Sequence, residues 1–273
     1  MLKSKRKLII TLTVVGVIVL LLIVSSALFS LKTVTIDYLS LNTDVEHSVM
    51  ATYNKDEIIK AGNFAYNKNI LFIKYDGAKD RIEKAFPFAK VLGFVRHFPS
   101  SVVVSLTERE PVAKILRNDG KWVVLDDELK VLIVSYTLDS YYANLPTLDN
   151  TIISTAGAQE GTFLSSPYLA SAIHNIKRGI TDDDVNLNMK TISTISISTG
   201  DALEDYIVNM LLNDGCRIVF KGINNLAEKS LAVFKTYNTV KNDTTNYPEI
   251  NKVTISVESD YRYGNPVSVT KEP

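Results

Sequence analysis

The feature that most limits what this chain can fold into is a run of 24 uncharged residues, Leu8 to Leu31, close to the N-terminus. Its densest stretch is Val17-Ile18-Val19-Leu20-Leu21-Leu22-Ile23-Val24. At about 1.5 Å of rise per residue, roughly 20 helical residues cross the hydrocarbon of a bilayer, so this run can span it with some tilt. A cleaved signal peptide is the competing reading, and Ser25-Ser26-Ala27 offers the small residues a signal peptidase accepts. Signal peptides carry apolar cores of about 7–15 residues, and this run exceeds that. The sequence therefore predicts an uncleaved anchor. Lys3, Lys5, Arg6 and Lys7 precede it, and a basic flank of this kind stays in the cytoplasm. Residues 1–7 then form a cytoplasmic stub, 8–31 the transmembrane helix, and the chain from residue 32 onward lies outside the cytoplasm. No second run of this kind occurs.

The remaining composition excludes several functions. The 273 residues balance 30 basic against 30 acidic side chains, and removing the four leading cations leaves 26 against 30. A nucleic-acid binder would show a basic excess instead. One cysteine, Cys216, forbids an internal disulfide, a CxxC pair and a cysteine-rich zinc site. The three histidines, His47, His97 and His174, are far apart and offer little for a histidine metal centre. No cofactor is expected.

Periodicity divides the exported part in two. Thr33–Ser40 alternates as a strand. Asn54-Lys55-Asp56-Glu57 resembles a capping box, followed by Ile58, Ile59 and Ala61 with Gly62 as a stop. After the short extended piece Asn69–Ile73, Asp76 is placed to cap a second helix, Gly77–Phe86, which Pro87 ends. Strands at Ala89–His97 and Ser101–Glu108 flank Phe98-Pro99-Ser100. This β-α-α-β-β order predicts a sheet covered on one side by two helices. From Pro111 the pattern turns to strands and hairpins, with Asn118-Asp119-Gly120 and Asn213-Asp214-Gly215 as turn signals. Asp139–Ser166 reads as a loop-rich stretch around Pro146. Helices are predicted after Pro167 (Leu169, Ala172, Ile173 and Ile176 on one face) and after Asn225 (Leu226, Val233, Phe234, Tyr237 and Val240). Two strands, Lys252–Val257 and about Tyr261–Val269, close the chain. The fold class is α+β, with domains at 32–110 and 111–273, the second mainly antiparallel with two or more helices.

Several short motifs resemble a known family in order. These are Asn69-Ile70-Leu71-Phe72-Ile73, then Arg96-His97-Phe98-Pro99, then Glu108-Arg109-Glu110-Pro111-Val112-Ala113. They resemble the FtsQ-type POTRA domain of the FtsQ/DivIB cell-division proteins, where R-x-F-P and E-R-x-P-x-A mark the ends of the last two strands. Leu145-Pro146, the Asn213-Asp214-Gly215 hairpin and Asp260-Tyr261-Arg262-Tyr263 extend the resemblance, and residues 111–273 would be the family's β domain. Two departures stand out. Leu41–Tyr53 is a longer connection than the family's, without its Gly-Asn. Leu129 and Lys130 stand near a hairpin where the family favours glycine. Read physically, Pro99 suits a turn and Pro111 a junction where strand pairing ends. Arg109, between two glutamates, reads as a structural ion pair rather than a ligand site, since surface pairs are common and individually weak.

Enzyme readings are weak by comparison. Ser48-Val49-Met50 resembles the nucleophile motif of a membrane-anchored serine hydrolase of the type I signal peptidase kind. That resemblance ends at the tripeptide, and Lys55 and Lys60 lie on a charged helix rather than in an apolar pocket. The Ser-x-x-Lys matches at Ser4–Lys7 and Ser268–Lys271 lie at the chain's two ends. Asp182-Asp183-Asp184 lacks the glycine and distal glutamate of a calcium loop and reads as a solvated turn. Cys216 reads as a small packed residue.

The sequence therefore points to protein binding rather than catalysis. A final strand has no successor to cover it and can accept another chain by β-augmentation. The resemblance implies FtsL-type and FtsB/DivIC-type partners docking on the C-terminal strands, with a septal peptidoglycan synthase as a further contact. Arg262 and Tyr263 match the family's R-Y pair entering that strand, and Val267 and Val269 follow as partner-side or edge residues. The function implied is a single-pass scaffold and regulator at the septum, linking partners that control peptidoglycan synthesis. It would sit in the cytoplasmic membrane and use neither nucleic acid nor a small-molecule substrate. The alternative is another exported POTRA-bearing envelope adaptor, for example a secretion component. Such proteins lead into an outer-membrane barrel, and no series of alternating membrane strands follows residue 113.

Overall fold

A computed structural model describes residues 2–40, 48–148, 153–185, 187–198, 202–260 and 267–272. The chain divides into two units, Met1–Arg109 and Glu110–Pro273. The first begins with helix α1 (Leu2–Leu28). Among the described residues it is the one helix long and apolar enough to cross a membrane, with a mean hydropathy of 2.6 over Thr11–Leu28 and no part of that window buried against protein. The apolar run outlasts the helix. Leu31, counted with the span in the sequence, is fully buried in the core of the first unit.

Strand β1 (Thr33–Ser40), helices α2 (Lys55–Gly62) and α3 (Asp76–Ala85) and strands β2 (Ala89–His97) and β3 (Ser101–Glu108) complete this unit. The sheet order is β1-β3-β2. β1 runs parallel to β3, with Thr33 opposite Ser101, and β2 pairs with β3 in an antiparallel hairpin. Alternation points Val102, Val104 and Leu106 into one face, where they meet Val34, Ile36, Ile58, Ala78 and Ile82 in one apolar core. Asn54 caps α2 by accepting a 2.8 Å hydrogen bond from Asp56 N–H. Asp76 departs from expectation: it is the first helical residue of α3, and Tyr75 occupies the cap position without a side-chain bond.

The second unit is built on strands β4 (Ala113–Leu116), β5 (Trp122–Leu125), β6 (Val131–Ser135), β7 (Thr147–Leu148), β8 (Ile192–Ser198), β9 (Ile207–Leu212), β10 (Arg217–Lys221), β11 (Val253–Val257) and β12 (Ser268–Lys271). Among the described residues these form one nine-stranded sheet in the order β12-β11-β10-β9-β8-β7-β4-β5-β6. Most neighbours are antiparallel; β10–β11, β4–β7 and β7–β8 are parallel. The two predicted turns carry Gly120 at φ 82° and Gly215 at φ 89°, left-handed positions that favour glycine. Short helix α4 (Ser140–Ala143) and the longer α5 (Pro167–Ile180) and α6 (Leu226–Asn242) lie between strands. Leu169, Ala172, Ile173 and Ile176 of α5 join Val233, Phe234, Tyr237 and Val240 of α6 and the inward residues of the sheet in a single core. Asn225 precedes α6 in a left-handed conformation, and its side chain makes no cap bond, contrary to expectation. The stretch expected to be loop-rich supplies β7, which sits in the middle of the sheet.

Candidate functional site

The motif residues of the first unit hold its parts together. Glu108, at the end of β3, accepts hydrogen bonds from Ser48 Oγ at 2.7 Å and from Met50 N–H at 3.0 Å. These bonds fasten the end of the long connection to the sheet, and Met50 enters the core. Ser48 is itself buried, so the residue of the hydrolase motif serves as a clasp. Lys55 reaches elsewhere, donating to Ile36 O at 3.4 Å and lying 4.8 Å from the Tyr38 ring centroid.

Arg109 forms an ion pair as read from the sequence, though this one is not with a neighbouring glutamate on the surface. Its ion pair is a buried one, formed with Glu83 of α3 at 2.8 Å, and its side chain is 3% exposed. The other Glu83 oxygen accepts from Val91 N–H of β2 at 2.9 Å. One carboxylate thereby ties α3, β2 and the exit of β3. Arg96, in the other motif, donates to Ile73 O at 3.0 Å and lies over the Tyr75 ring.

In the second unit the last strand is an edge. β12 pairs only with β11 among the described residues, and the register sets Ile255 opposite Val269 and Thr254 opposite Thr270. Glu272 N–H donates to Lys252 O at 2.8 Å, which fixes the hydrogen-bonding phase of the ladder. In an antiparallel pair the bonded positions alternate, so Ser268, Thr270 and Glu272 point their backbone groups at β11. Val269 and Lys271 point theirs at the open side, and Val267 has the same phase. Their side chains do something different: Val267 and Val269 are half-buried and packed against the core of the unit. What the two valines present outward is backbone. Arg262 and Tyr263 lie outside the described residues.

The opposite edge of the sheet is blocked. Val131 N–H of β6 donates to Thr162 O at 2.8 Å, and Gly161 N–H donates back to Val131 O at 2.8 Å. The Glu160 carboxylate accepts from Val134 N–H at 3.0 Å. Segment 160–163 thus occupies the groups that an incoming strand would need. Nothing comparable covers β12 among the described residues.

One residue close to this edge gave no signal in the sequence. Lys229 of α6 is fully buried. Its Nζ lies 2.8 Å from Lys221 O, 3.0 Å from Asn224 Oδ1, 3.2 Å from Gly222 O and 3.3 Å from Ser259 O. It clamps the β10–α6 connection to the segment leaving β11. Burial lowers its pKa, while Asp260, Glu204 and Glu258 oppose that shift. A lysine on an otherwise apolar stripe reads from sequence as a solvated flank, and only the third dimension reveals the carbonyls around it.

The other candidates have structural partners. Asp184 pairs with Lys235 at 2.6 Å and Asp182 accepts from Asp184 N–H at 3.1 Å. Among the described residues no group of three or more His, Cys, Asp or Glu side chains could hold a metal ion. Cys216 is buried, and desolvation, with Asp214 nearby, pushes its thiol up to about 12.

Residues 45–109 match the family model described as the POTRA domain, FtsQ-type. The chain is also 26% identical over 178 residues to the cell division protein FtsQ of Corynebacterium glutamicum, covering 65% of this chain and 70% of that protein. Both findings support the FtsQ/DivIB family. They point to a cell-division protein with an FtsQ-type POTRA domain and, among the described residues, one candidate transmembrane helix. The POTRA match begins after β1, yet β1 is an integral strand of that sheet through its pairing with β3.

Its departures from the FtsQ/DivIB pattern are accommodated locally. Leu129 takes a left-handed φ of 61°. That conformation costs a non-glycine residue about 1–2 kcal/mol. The Leu129 side chain is fully buried in the core, which offsets the strain. The long connection after β1 is held where it returns, through Ser48 and Met50.

Proposed function

We propose that this FtsQ/DivIB protein is a bitopic scaffold and regulator of septal peptidoglycan synthesis, binding FtsL-type and FtsB/DivIC-type division proteins outside the cytoplasm. The basic stub stays in the cytoplasm, α1 anchors the chain, and the unit from residue 111 receives its partner. That partner adds a strand to the open side of β12. The observation that carries this reading is the contrast between the sheet's two edges: β6 is covered by residues 160–163, whereas β12 offers the backbone groups of Val269 and Lys271. Arg262 and Tyr263 would contact the partner at the entry to that strand. The side chains of Val267 and Val269 would hold the strand to its own core while the main chain does the binding. The role requires no catalytic group, and the protein works by gathering partners at the septum.

Co-purification of the full chain with FtsL-type and DivIC-type proteins of the same organism tests this. Val269→Pro removes an outward N–H and no bond to β11, a placement that an edge strand tolerates. The reading predicts capture by the wild type and loss of capture by Val269→Pro with an unchanged circular dichroism spectrum. Undiminished capture by the folded variant would rule out β12 as the site.

A further inference from the structure

A second surface lies at the point where the anchor leaves the membrane. Helix α1 ends at Leu28, and the next residues are bonded at once to a loop of the POTRA unit. Ile70 N–H donates to Phe29 O at 2.7 Å, Leu31 N–H to Lys68 O at 2.9 Å, and Asn67 N–H to Leu31 O at 3.0 Å. The β2–β3 turn comes to the same place: Lys32 N–H donates to Ser100 O at 2.8 Å, and the rings of Phe29 and Phe98 meet edge to face at 6.0 Å. Both segments expose apolar side chains that the core does not use. Within one five-residue motif Ile70 and Ile73 are buried, while Leu71 is 48% and Phe72 81% exposed; Phe98 is 58% exposed. Phe72 is two residues from Ile70, so its Cα lies within about 8 Å of the Ile70 Cα and close to the helix exit.

We propose that Leu71, Phe72 and Phe98 form a membrane-docking patch that enters the lipid interface around α1 and fixes the POTRA unit upright on the bilayer. This rests on the reading of α1 as a membrane anchor. Phe and Leu side chains of membrane-surface segments enter the boundary between headgroups and acyl chains. The charge around the patch fits a lipid headgroup layer. Lys32, Lys68, Lys74 and Arg96 are exposed there, and no acidic residue occurs in 29–36, 64–75 or 96–101, although the chain from residue 32 is acidic overall. Basic residues at such a boundary are attracted to anionic lipids. A protein partner for the same patch would have to reach it within the headgroup layer, so lipid is the occupant the position favours.

The test uses the full chain with its single tryptophan replaced (Trp122→Phe), reconstituted in phosphatidylcholine–phosphatidylglycerol vesicles with and without brominated acyl chains. Tryptophan is then introduced singly by Phe72→Trp, by Leu20→Trp within α1, and by Leu39→Trp near the end of β1. Leu39 is exposed and roughly 20 Å along the strand from the helix exit. The proposal predicts a blue-shifted Phe72→Trp emission that brominated lipid quenches at least about twofold more than Leu39→Trp. Quenching of Leu20→Trp with Phe72→Trp behaving like Leu39→Trp overturns the patch alone. Absence of quenching at Leu20→Trp overturns the anchor and the patch together. A Phe72→Trp emission that shifts only when a purified FtsL-type protein is added assigns the patch to a protein and overturns the lipid proposal.

Discussion

Arg109→Ala would leave the Glu83 carboxylate buried without the guanidinium 2.8 Å away. Breaking a buried pair from one side costs about 3–5 kcal/mol, whereas replacing both partners by apolar groups is often near neutral. Urea denaturation should therefore show Arg109→Ala strongly destabilised and a Glu83→Leu/Arg109→Met double variant much less so. Leu129 sets two opposed terms against each other. Leu129→Gly would relieve about 1–2 kcal/mol of left-handed strain but lose a buried side chain whose truncation costs about 2–5 kcal/mol. Burial wins, and the same titration should find the glycine variant less stable despite the relieved strain. Cys216 and Tyr237 are both buried acids whose pKa values are raised by desolvation. Each is neutral in the fold, so its contribution to stability is complete below the pKa of its unfolded state and declines above it. For Cys216 the decline runs from 9.0 to about 12. Thermal melting should hold its midpoint up to about pH 9 and fall beyond it, at about 1.4 kcal/mol per pH unit and group. Thiol reagents should reach Cys216 only after unfolding.

At the scale of elements, α5 and α6 cross closely at Gly179. A Cβ there would lie 2.4 Å from Ser230 Cβ and 2.8 Å from the Leu231 backbone nitrogen. Overpacking of that kind costs about 1–3 kcal/mol, so Gly179→Ala should lower the melting temperature of the full chain while leaving the exposed edge of β12 intact. Elements with a strong period and a clear punctuation mark were legible in the sequence. β1, β2 and β3 lie where alternation places them, and the stripes of α5 and α6 are buried as their spacing predicts. β7 and β8 were not legible. β7 is two residues long and owes its place to neighbours distant in sequence. β8 (Ile192–Ser198) pairs with β9 through a connection that lacks the Asp-Gly mark of the other hairpins. Caps were less legible still, since Asp76 and Asn225 have the right residue type and the wrong backbone geometry. For the candidate site, the sequence indicates the strand but not its phase: which of Val267, Ser268 and Val269 faces outward follows from a single backbone bond at Glu272.

For the molecule as a whole, the proposed scaffold role divides among the parts. An apolar helix locates it, a POTRA unit stands next to that helix, and a second unit carries a sheet with one covered and one uncovered edge. The buried ion pair, the Ser48–Glu108 clasp and the Lys229 clamp are the polar groups that keep these parts in register internally. None of them is legible from charge patterns, because each joins residues far apart in the chain. In the proposed mode a division partner pairs with the outer side of β12. Hydrogen–deuterium exchange on the full chain, with and without a DivIC-type protein of the same organism, distinguishes the outcomes. Pairing at that edge predicts new protection at the amides of Val269 and Lys271, with Thr270 unchanged because it already bonds β11. Protection confined to the POTRA unit or to β6, with the Val269 and Lys271 amides exchanging as fast as in the free protein, would contradict it.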